Sequence, residues 1–346
     1  MNDIVKKLIN TIQYTQRTEE WHSIRKTLIT ASSASSLLVR DKKTCQSYVE
    51  QYELEDIFDY NGGCCNPYSS RKQFILDKCK KNSFKGSIAT FWGQTYEPVV
   101  TDIYSNLTNK KINEFGLIVH PEYEWLGASP DGITSDGVMI EIKCPFRRKI
   151  TGIPPLYYWI QVQLQLEVCN LEDCDFVEYE FIEFLSSDEF LDDKTLDIKI
   201  FNKGLFVKLE RKKDQNIPCP PEEIEYYYPP KEYLDNVDKL FNWRDEKYEE
   251  LNQKYIEDNL TEIKVVYWKV CDKSIVRIKR DKKWFKNVLP VLWREWGYIL
   301  YYKKEDNYKK LLTKQKEYHE GGTLILDEDC NNKKKEYIFT DSENES

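Results

Sequence analysis

The stretch that most restricts what this chain can fold into lies in its middle. Ser129-Pro130-Asp131-Gly132 is followed nine residues after Gly132 by Glu141-Ile142-Lys143. Pro-Asp-Gly is a turn signal, because proline presets φ and glycine tolerates the left-handed region. Glu-Ile-Lys reads as strand, and side chains on a strand alternate faces. Glu141 and Lys143 therefore share one face, and Ile142 points into an apolar layer behind them. The turn lets Asp131 fold back beside the pair. Two carboxylates and an ammonium in one small volume suit a hard divalent cation with a water next to it. Taken alone, the same string also describes a solvated hairpin with an exposed charge pair.

The composition narrows the choice. The chain has 346 residues, enough for a substantial core, with 32% charged and 14% aromatic residues. It holds no apolar run long enough for a signal peptide or a membrane span, so a soluble, intracellular protein with no membrane contact is expected. The ten cysteines form no CxxC pair and read as reduced thiols. The three histidines form no HExxH or similar pair, which argues against histidine-based metal or nucleophile chemistry. A net charge of −8 argues against a DNA binder that uses its whole surface, but not against a basic channel. Among the basic clusters, Arg147-Arg148-Lys149 stands out because it lies four residues past Lys143.

The chain in order gives a docking helix within residues 1–16, with Ile4, Val5, Leu8, Ile9 and Ile12 on one face. Ile29-Thr30-Ala31-Ser32-Ser33 reads as a helix start, either a plain N-cap or, with Arg25 nearby, a phosphate-holding N-terminus. Residues 40–85 give a helix and a loop with no readable chemistry. A helix is expected over 86–107, starting or kinking at Pro98, which puts Glu97 in its first turns. Strands are expected at 114–120 and 123–127. Local rules conflict over residues 156–168. Ile160 to Leu166 alternates with period two, as a strand does. The length, Pro154-Pro155 at the start and Asn170 at the end favour a helix. Strands at 174–184 and 197–210, a helix over 231–257, a hairpin of 262–271 with 274–280 and a helix over 281–304 follow. The charged tail reads as disordered.

The set of motifs resembles the lambda-type exonuclease and YqaJ-like viral recombinase family of PD-(D/E)XK nucleases. The matching pieces are Trp21…Arg25, Ile29-Thr30-Ala31-Ser32, Trp92-Gly93 with Tyr96-Glu97, Ser129-Pro130-Asp131-Gly132, Glu141-Ile142-Lys143-Cys144-Pro145-Phe146, and Tyr158-x-x-Gln161-x-Gln163. The resemblance implies an α/β fold with a restriction-endonuclease-like core, a mixed central sheet of about five strands flanked by helices. The expected domains are a nuclease core over 1–215, a C-terminal helical and hairpin extension over 216–330 packed on it, and a tail over 331–346. In this family the glutamine-bearing segment is helical, which decides the conflict over 156–168.

The implied catalytic group is Glu97, Asp131, Glu141, Lys143 and Gln161. Asp131, Glu141 and the carbonyl of Ile142 would bind Mg²⁺ or Mn²⁺. Arg25, Ser32 and Ser129 would contact terminal or neighbouring phosphates, joined by Arg147 and Arg148. The implied activity is metal-dependent 5′→3′ digestion of double-stranded DNA ends, leaving single strands for viral recombination or repair. The alternatives are an endonuclease on the same chemistry and a catalytically silent DNA-end-binding module. Implied partners are DNA ends, a single-strand annealing protein and further copies of the chain, at work in the host cytoplasm or nucleus. The phage enzyme is shorter, so residues after about 210 lack a counterpart there, and its ring-shaped trimer, which an added C-terminal third could block or replace, is not transferred to this chain.

Overall fold

The computed structural model describes residues 1–39, 41–54, 66–79, 86–194, 198–212, 219–256 and 258–312. The 331–346 tail, the Asn61-Gly62-Gly63 loop, Cys64, Cys65, Cys330 and His319 lie outside them. The strands are β1 (Ile29–Thr30), β2 (Ile112–Asn113), β3 (Ile118–Val119), β4 (Leu126–Ala128), β5 (Gly132–Thr134), β6 (Val138–Lys143), β7 (Asp173–Glu183), β8 (Lys203–Arg211), β9 (Glu225–Tyr227) and β10 (Thr261–Lys279). The helices are α1 (Asp3–Ile9), α2 (Glu19–Arg25), α3 (Ala31–Leu38), α4 (Lys42–Gln51), α5 (Arg71–Cys79), α6 (Ile88–Thr108), α7 (Leu156–Cys169), α8 (Ser187–Asp192), α9 (Val237–Lys254) and α10 (Lys282–Lys303).

The main sheet is mixed α/β architecture with strand order β2-β5-β6-β7-β10-β8-β9, seven strands rather than about five. Only β6 and β7 run parallel within it, and α7 forms the crossover between them. A parallel pair needs such a crossover, because a tight turn can only reverse the chain. The small second sheet, β1-β4-β3, sets β1 parallel to β4 and so brings the start of α3 beside the chain that enters the Ser129 turn.

The alternation along β6 divides two cores. Met139 packs with α3, α7 and α10 on one face, whereas Ile140 and Ile142 pack against Tyr96, Val99, Val100 and Ile103 of α6 on the other. Glu141, in phase with Met139, faces α7. This helix is buried nearly all round, which explains why its sequence lacks a clear helical stripe. Asn170 ends it in the left-handed conformation at φ 51°.

Three local expectations change. Residues 261–279 form one strand, not a hairpin. Its first half pairs with β8 and its second with β7, with a bulge between Val270 and Asp272. Cys271-Asp272-Lys273 carries no glycine, proline or asparagine to turn the chain, and both halves find partners only if it stays extended. Residues on either side of 215 consequently share one sheet, with β10 seated between β7 and β8. Gly204 allows this, since a Cβ there would stand 2.4 Å from the fully buried ring of Trp268. Second, α6 begins at a Ser87 cap and runs through Pro98, so Glu97 lies mid-helix. The Tyr228 hydroxyl donates to the Thr95 carbonyl (2.7 Å) in the disturbed turn. Third, α1 stops at Ile9; Val5 and Leu8 are buried, but Ile12 is exposed. Cys45 is disulfide-bonded, against the expectation of reduced thiols, while Cys79, Cys144, Cys169, Cys174, Cys219 and Cys271 are free.

Candidate active site

β6 supplies the centre of the site. Glu141 is 1% exposed, and both its oxygens are engaged. Oε1 accepts from the Lys143 ammonium and from Gln161 Nε2 (2.5 Å). Oε2 accepts from Gln165 Nε2 (2.7 Å). The β4–β5 turn folds Asp131 onto the same strand, where its Oδ2 accepts the Ile142 N–H at 2.7 Å. Oδ1 of Asp131 is left for another partner. Lys143 Nζ also lies 5.0 Å over the ring of Tyr158, whose hydroxyl meets that of Tyr68 at 3.1 Å.

The electrostatics follow from crowding charge in a dry space. Burial, then the carboxylates of Glu141 and Glu97, push the Asp131 carboxyl well above its usual range. Burial likewise raises Glu97, opposed by Arg17 at 3.5 Å and by Lys143. Lys143 goes the other way. Burial disfavours its charge, but Glu141 and Asp131 outweigh that and hold the ammonium protonated. Three carboxylates thus crowd around one cation, and a further positive charge would relieve their repulsion.

Among the described residues no three His, Cys, Asp or Glu side chains make a ready-formed metal cage. The donors nonetheless fit Mg²⁺, which keeps several waters and takes only one or two protein carboxylates. Gln165 Oε1 is buried without a hydrogen-bond partner, a position where an ordered water is expected.

The three glutamines of α7 divide by helical phase. Gln161 and Gln165, four apart, reach Glu141 together. Gln163 faces away. It donates to the Lys279 carbonyl (2.8 Å) and accepts from the Asp281 N–H (2.7 Å), fixing the entry to α10. Gln165 escaped the sequence reading, although its spacing from Gln161 on a helix was the available signal. Glu178 escaped it too, because only the parallel register of β6 and β7 sets it opposite Lys143.

The expected phosphate contacts separate. Arg25, Ser32 and Ser129 assemble. Arg25 donates to Ser32 Oγ (3.4 Å) and stacks 4.2 Å over Trp21, whose indole N–H donates to Ser129 Oγ (3.2 Å). Arg147 stays exposed over its neighbour Phe146. Arg148 pairs with fully buried Glu178 and lies 5.7 Å over Tyr158.

The stretch from α2 to the end of α7 carries Glu97, Asp131, Glu141, Lys143, Gln161 and Gln165, and it coincides with the match to a family model. Residues 20–172 match the model of the YqaJ-like viral recombinase domain. Over 340 residues the chain is 28% identical to an uncharacterized protein of Acanthamoeba polyphaga mimivirus, covering 90% of this chain and 56% of the relative. The chain therefore spans about half the length of that curated relative. Among solved structures, the alkaline exonuclease LHK-Exo from Laribacter hongkongensis shares 20% identity, covers 87% of this chain and 99% of its own, and superposes with a TM-score of 0.40. A phage-related exonuclease from Haemophilus somnus shares 11% identity over 85% of this chain and 99% of its own, with a TM-score of 0.37. The β10 strand and α10 lie beyond the YqaJ-like stretch. No helix among the described residues is long and apolar enough to cross a membrane.

Proposed function

We propose that this chain is a metal-dependent deoxyribonuclease that digests double-stranded DNA from its ends, 5′→3′, and leaves single strands for recombination or repair. The observation that carries the reading is the convergence, inside a YqaJ-like domain, of Asp131, Glu141, Lys143, Gln161 and Gln165 on one buried point. Asp131, Glu141 and the Ile142 carbonyl would hold Mg²⁺ or Mn²⁺, with Glu97 completing the acidic group. When bound, such a cation would supply charge stabilisation for the phosphoryl oxygens and acidity for an attacking water.

The chain's own residues do the rest. Glu141 is held in one rotamer by two glutamines and a lysine, so it needs no reorganisation when charge builds up. Lys143 is a fixed positive point beside the reacting phosphate. Gln161 and Gln165 restrain the carboxylate, and Gln165 Oε1 has a free lone pair with which to orient a water. Arg25, Ser32 and Ser129 hold a terminal or neighbouring phosphate. The single strand produced is the natural substrate of an annealing protein, and a second copy of the chain is a further candidate partner.

The test is digestion of linear duplex DNA labelled at one 5′ end, beside a closed circle, with Mg²⁺ or Mn²⁺, for wild type and Lys143→Ala. Expected are loss of the linear DNA from its ends, survival of the circle and an inactive variant. Nicking of the circle would make the protein an endonuclease. Binding of DNA ends without cleavage under either metal would overturn the enzymatic reading.

A further inference from the structure

One carboxylate oxygen beside the active site is left without a partner. Glu178 lies on β7 in register with Lys143 of β6, and the two strands run parallel. In-register residues of neighbouring strands stand about 5 Å apart and share one face of the sheet. Glu178 and Lys143 therefore point the same way, towards α7, as Glu141 and its partner Phe176 do. Glu178 is fully buried. Its Oε1 accepts from the Arg148 guanidinium, whereas its Oε2 is buried with no hydrogen-bond partner among the described residues. A buried carboxylate oxygen without a donor is costly. A pair that serves only stability has reason to engage both oxygens, as Arg277 does with Asp175.

A donor for that oxygen stands beside it. Lys143 Nζ lies 5.0 Å and Arg148 Cζ 5.7 Å over the ring of Tyr158, so both cations rest on one aromatic. Arg148 has taken Glu178. Lys143 has taken Glu141, whose Oε1 also accepts from Gln161. Burial pushes the Glu178 carboxyl up, and Arg148 and then Lys143 oppose that shift. The charge of Lys143 thus already reaches Glu178.

Lys143 and a divalent cation compete for Glu141. Both acceptor positions of Oε1 are filled, and an ammonium and a dication on one carboxylate repel. Lys143 then needs another acceptor. Asp131 and Glu97, which also interact with Lys143, belong to the acidic group that would face the cation. Glu178 stands outside that group, on the next strand, with one oxygen free.

We propose that Glu178 is a positioning residue for Lys143: when Glu141 turns to a divalent cation, the Lys143 ammonium passes from Glu141 to Oε2 of Glu178. The proposal rests on the metal-dependent nuclease reading and deepens it. The exchange precedes the chemistry, so Lys143 is again a fixed charge, held by Glu178 and Tyr158, when a phosphate reacts. Glu178 keeps Arg148 on its other oxygen throughout.

The experiment is calorimetric titration of Mn²⁺ into the full chain without DNA, for wild type, Glu178→Gln, Lys143→Met and the double variant. Glu178→Gln should weaken Mn²⁺ binding by about tenfold, because Lys143 then stays on Glu141. Lys143→Met should bind Mn²⁺ at least as tightly as wild type, since the competitor is gone. In that background, adding Glu178→Gln should change the affinity by less than about twofold. A second version replaces the whole buried pair by apolar groups, Glu178→Met with Arg148→Met, which spares the fold the unpaired charge. It should show the same dependence on Lys143. Equal losses with and without Lys143, as a structural or long-range role of Glu178 would give, overturn the proposal. So does unchanged binding in Glu178→Gln, or no Mn²⁺ binding in wild type. Failure of the nuclease reading looks different: linear DNA would stay intact with Mg²⁺ or Mn²⁺ although the four titrations came out as expected.

Discussion

The carboxylate site on β6 and the cationic corner beside α3 solve opposite problems with charge. At the first, Glu141 is surrounded by a lysine and two glutamine amides, and every interaction comes from within the chain. At the second, Arg25, Lys78 and Lys303 lie near one another, and among the described residues their hydrogen bonds and ring contacts are to carbonyls, rings and a hydroxyl. The bonds to Glu141 hold it rigid and preorganised, while the crowding of Asp131, Glu97 and Glu141 still calls for a cation. The cationic corner is poised to bind something of opposite sign. The two share Ser129 and Gln165 as a physical link, so a phosphate anchored at one would fix the position of the strand relative to the other.

The largest effect should come from separating the two. Asp131→Ala and Lys143→Ala should each reduce cleavage by roughly a thousandfold or more, while binding of a 5′-phosphorylated end changes by less than about threefold. Single-turnover cleavage and anisotropy on the same preparations measure this. Equal losses in both would merge the two regions into one.

Next comes the division of labour on α7. Gln165→Leu should slow cleavage by about ten- to a hundredfold with little change in melting, since the lost contacts serve Glu141. Gln163→Leu should do the reverse. It strands the Asp281 N–H and the Lys279 carbonyl, at a cost of about 1–3 kcal/mol in stability, and leaves the rate of the folded protein intact. If Gln163→Leu were the slower enzyme, the assignment of faces would be wrong.

The acid side of the first site gives a pH signature. Asp131 and Glu97 have carboxyl groups raised above the unfolded value, so the metal-free native state keeps protons that the unfolded chain has already released. Stability of the metal-free protein should therefore fall as pH rises from the ordinary carboxylate range towards neutrality. Asp131→Asn should flatten that slope in melting curves. The same protons compete with a divalent cation, so Mg²⁺ affinity by calorimetry should weaken as pH falls, with proton release on binding.

The smallest effect tests a carboxyl outside both regions. Asp102 is raised to about 6, mainly by burial, with Lys231 opposing. By the same sign argument, its contribution is lost as pH rises from about 4 through 6. Asp102→Asn should raise the melting point at pH 7 by ~1 °C and leave it unchanged at pH 4. A shift as large as that of Asp131→Asn would show that burial alone, rather than the crowding at β6, governs the pH response.

Much of this was legible in the chain because it depends on short-range geometry. The phase of β6 follows from strand alternation, and Asp131 reaches Ile142 through a turn that Pro130 and Gly132 encode. The helix over Leu156–Cys169 was harder. Its alternating glutamines imitate a strand because the helix is buried all round and has no polar face to betray its period. Once it is a helix, the spacing of Gln161 and Gln165 sends both to Glu141 and turns Gln163 away.

Tertiary structure alone decided the rest. Nothing near Arg25 in the sequence announces Lys78 or Lys303, since 53 and 277 residues separate their hydrogen-bonded partners. Nor does the sequence show that residues 261–279 pair with two different strands, or that Arg148 is committed to Glu178. The physical reason is the same in each case. A local rule fixes the direction in which a side chain leaves its own element, but which element stands opposite depends on how the cores on both faces of the sheet pack. The Asp131, Glu141 and Lys143 motif was determined by periodicity within one hairpin; the company that its neighbours keep was determined by packing across the whole fold.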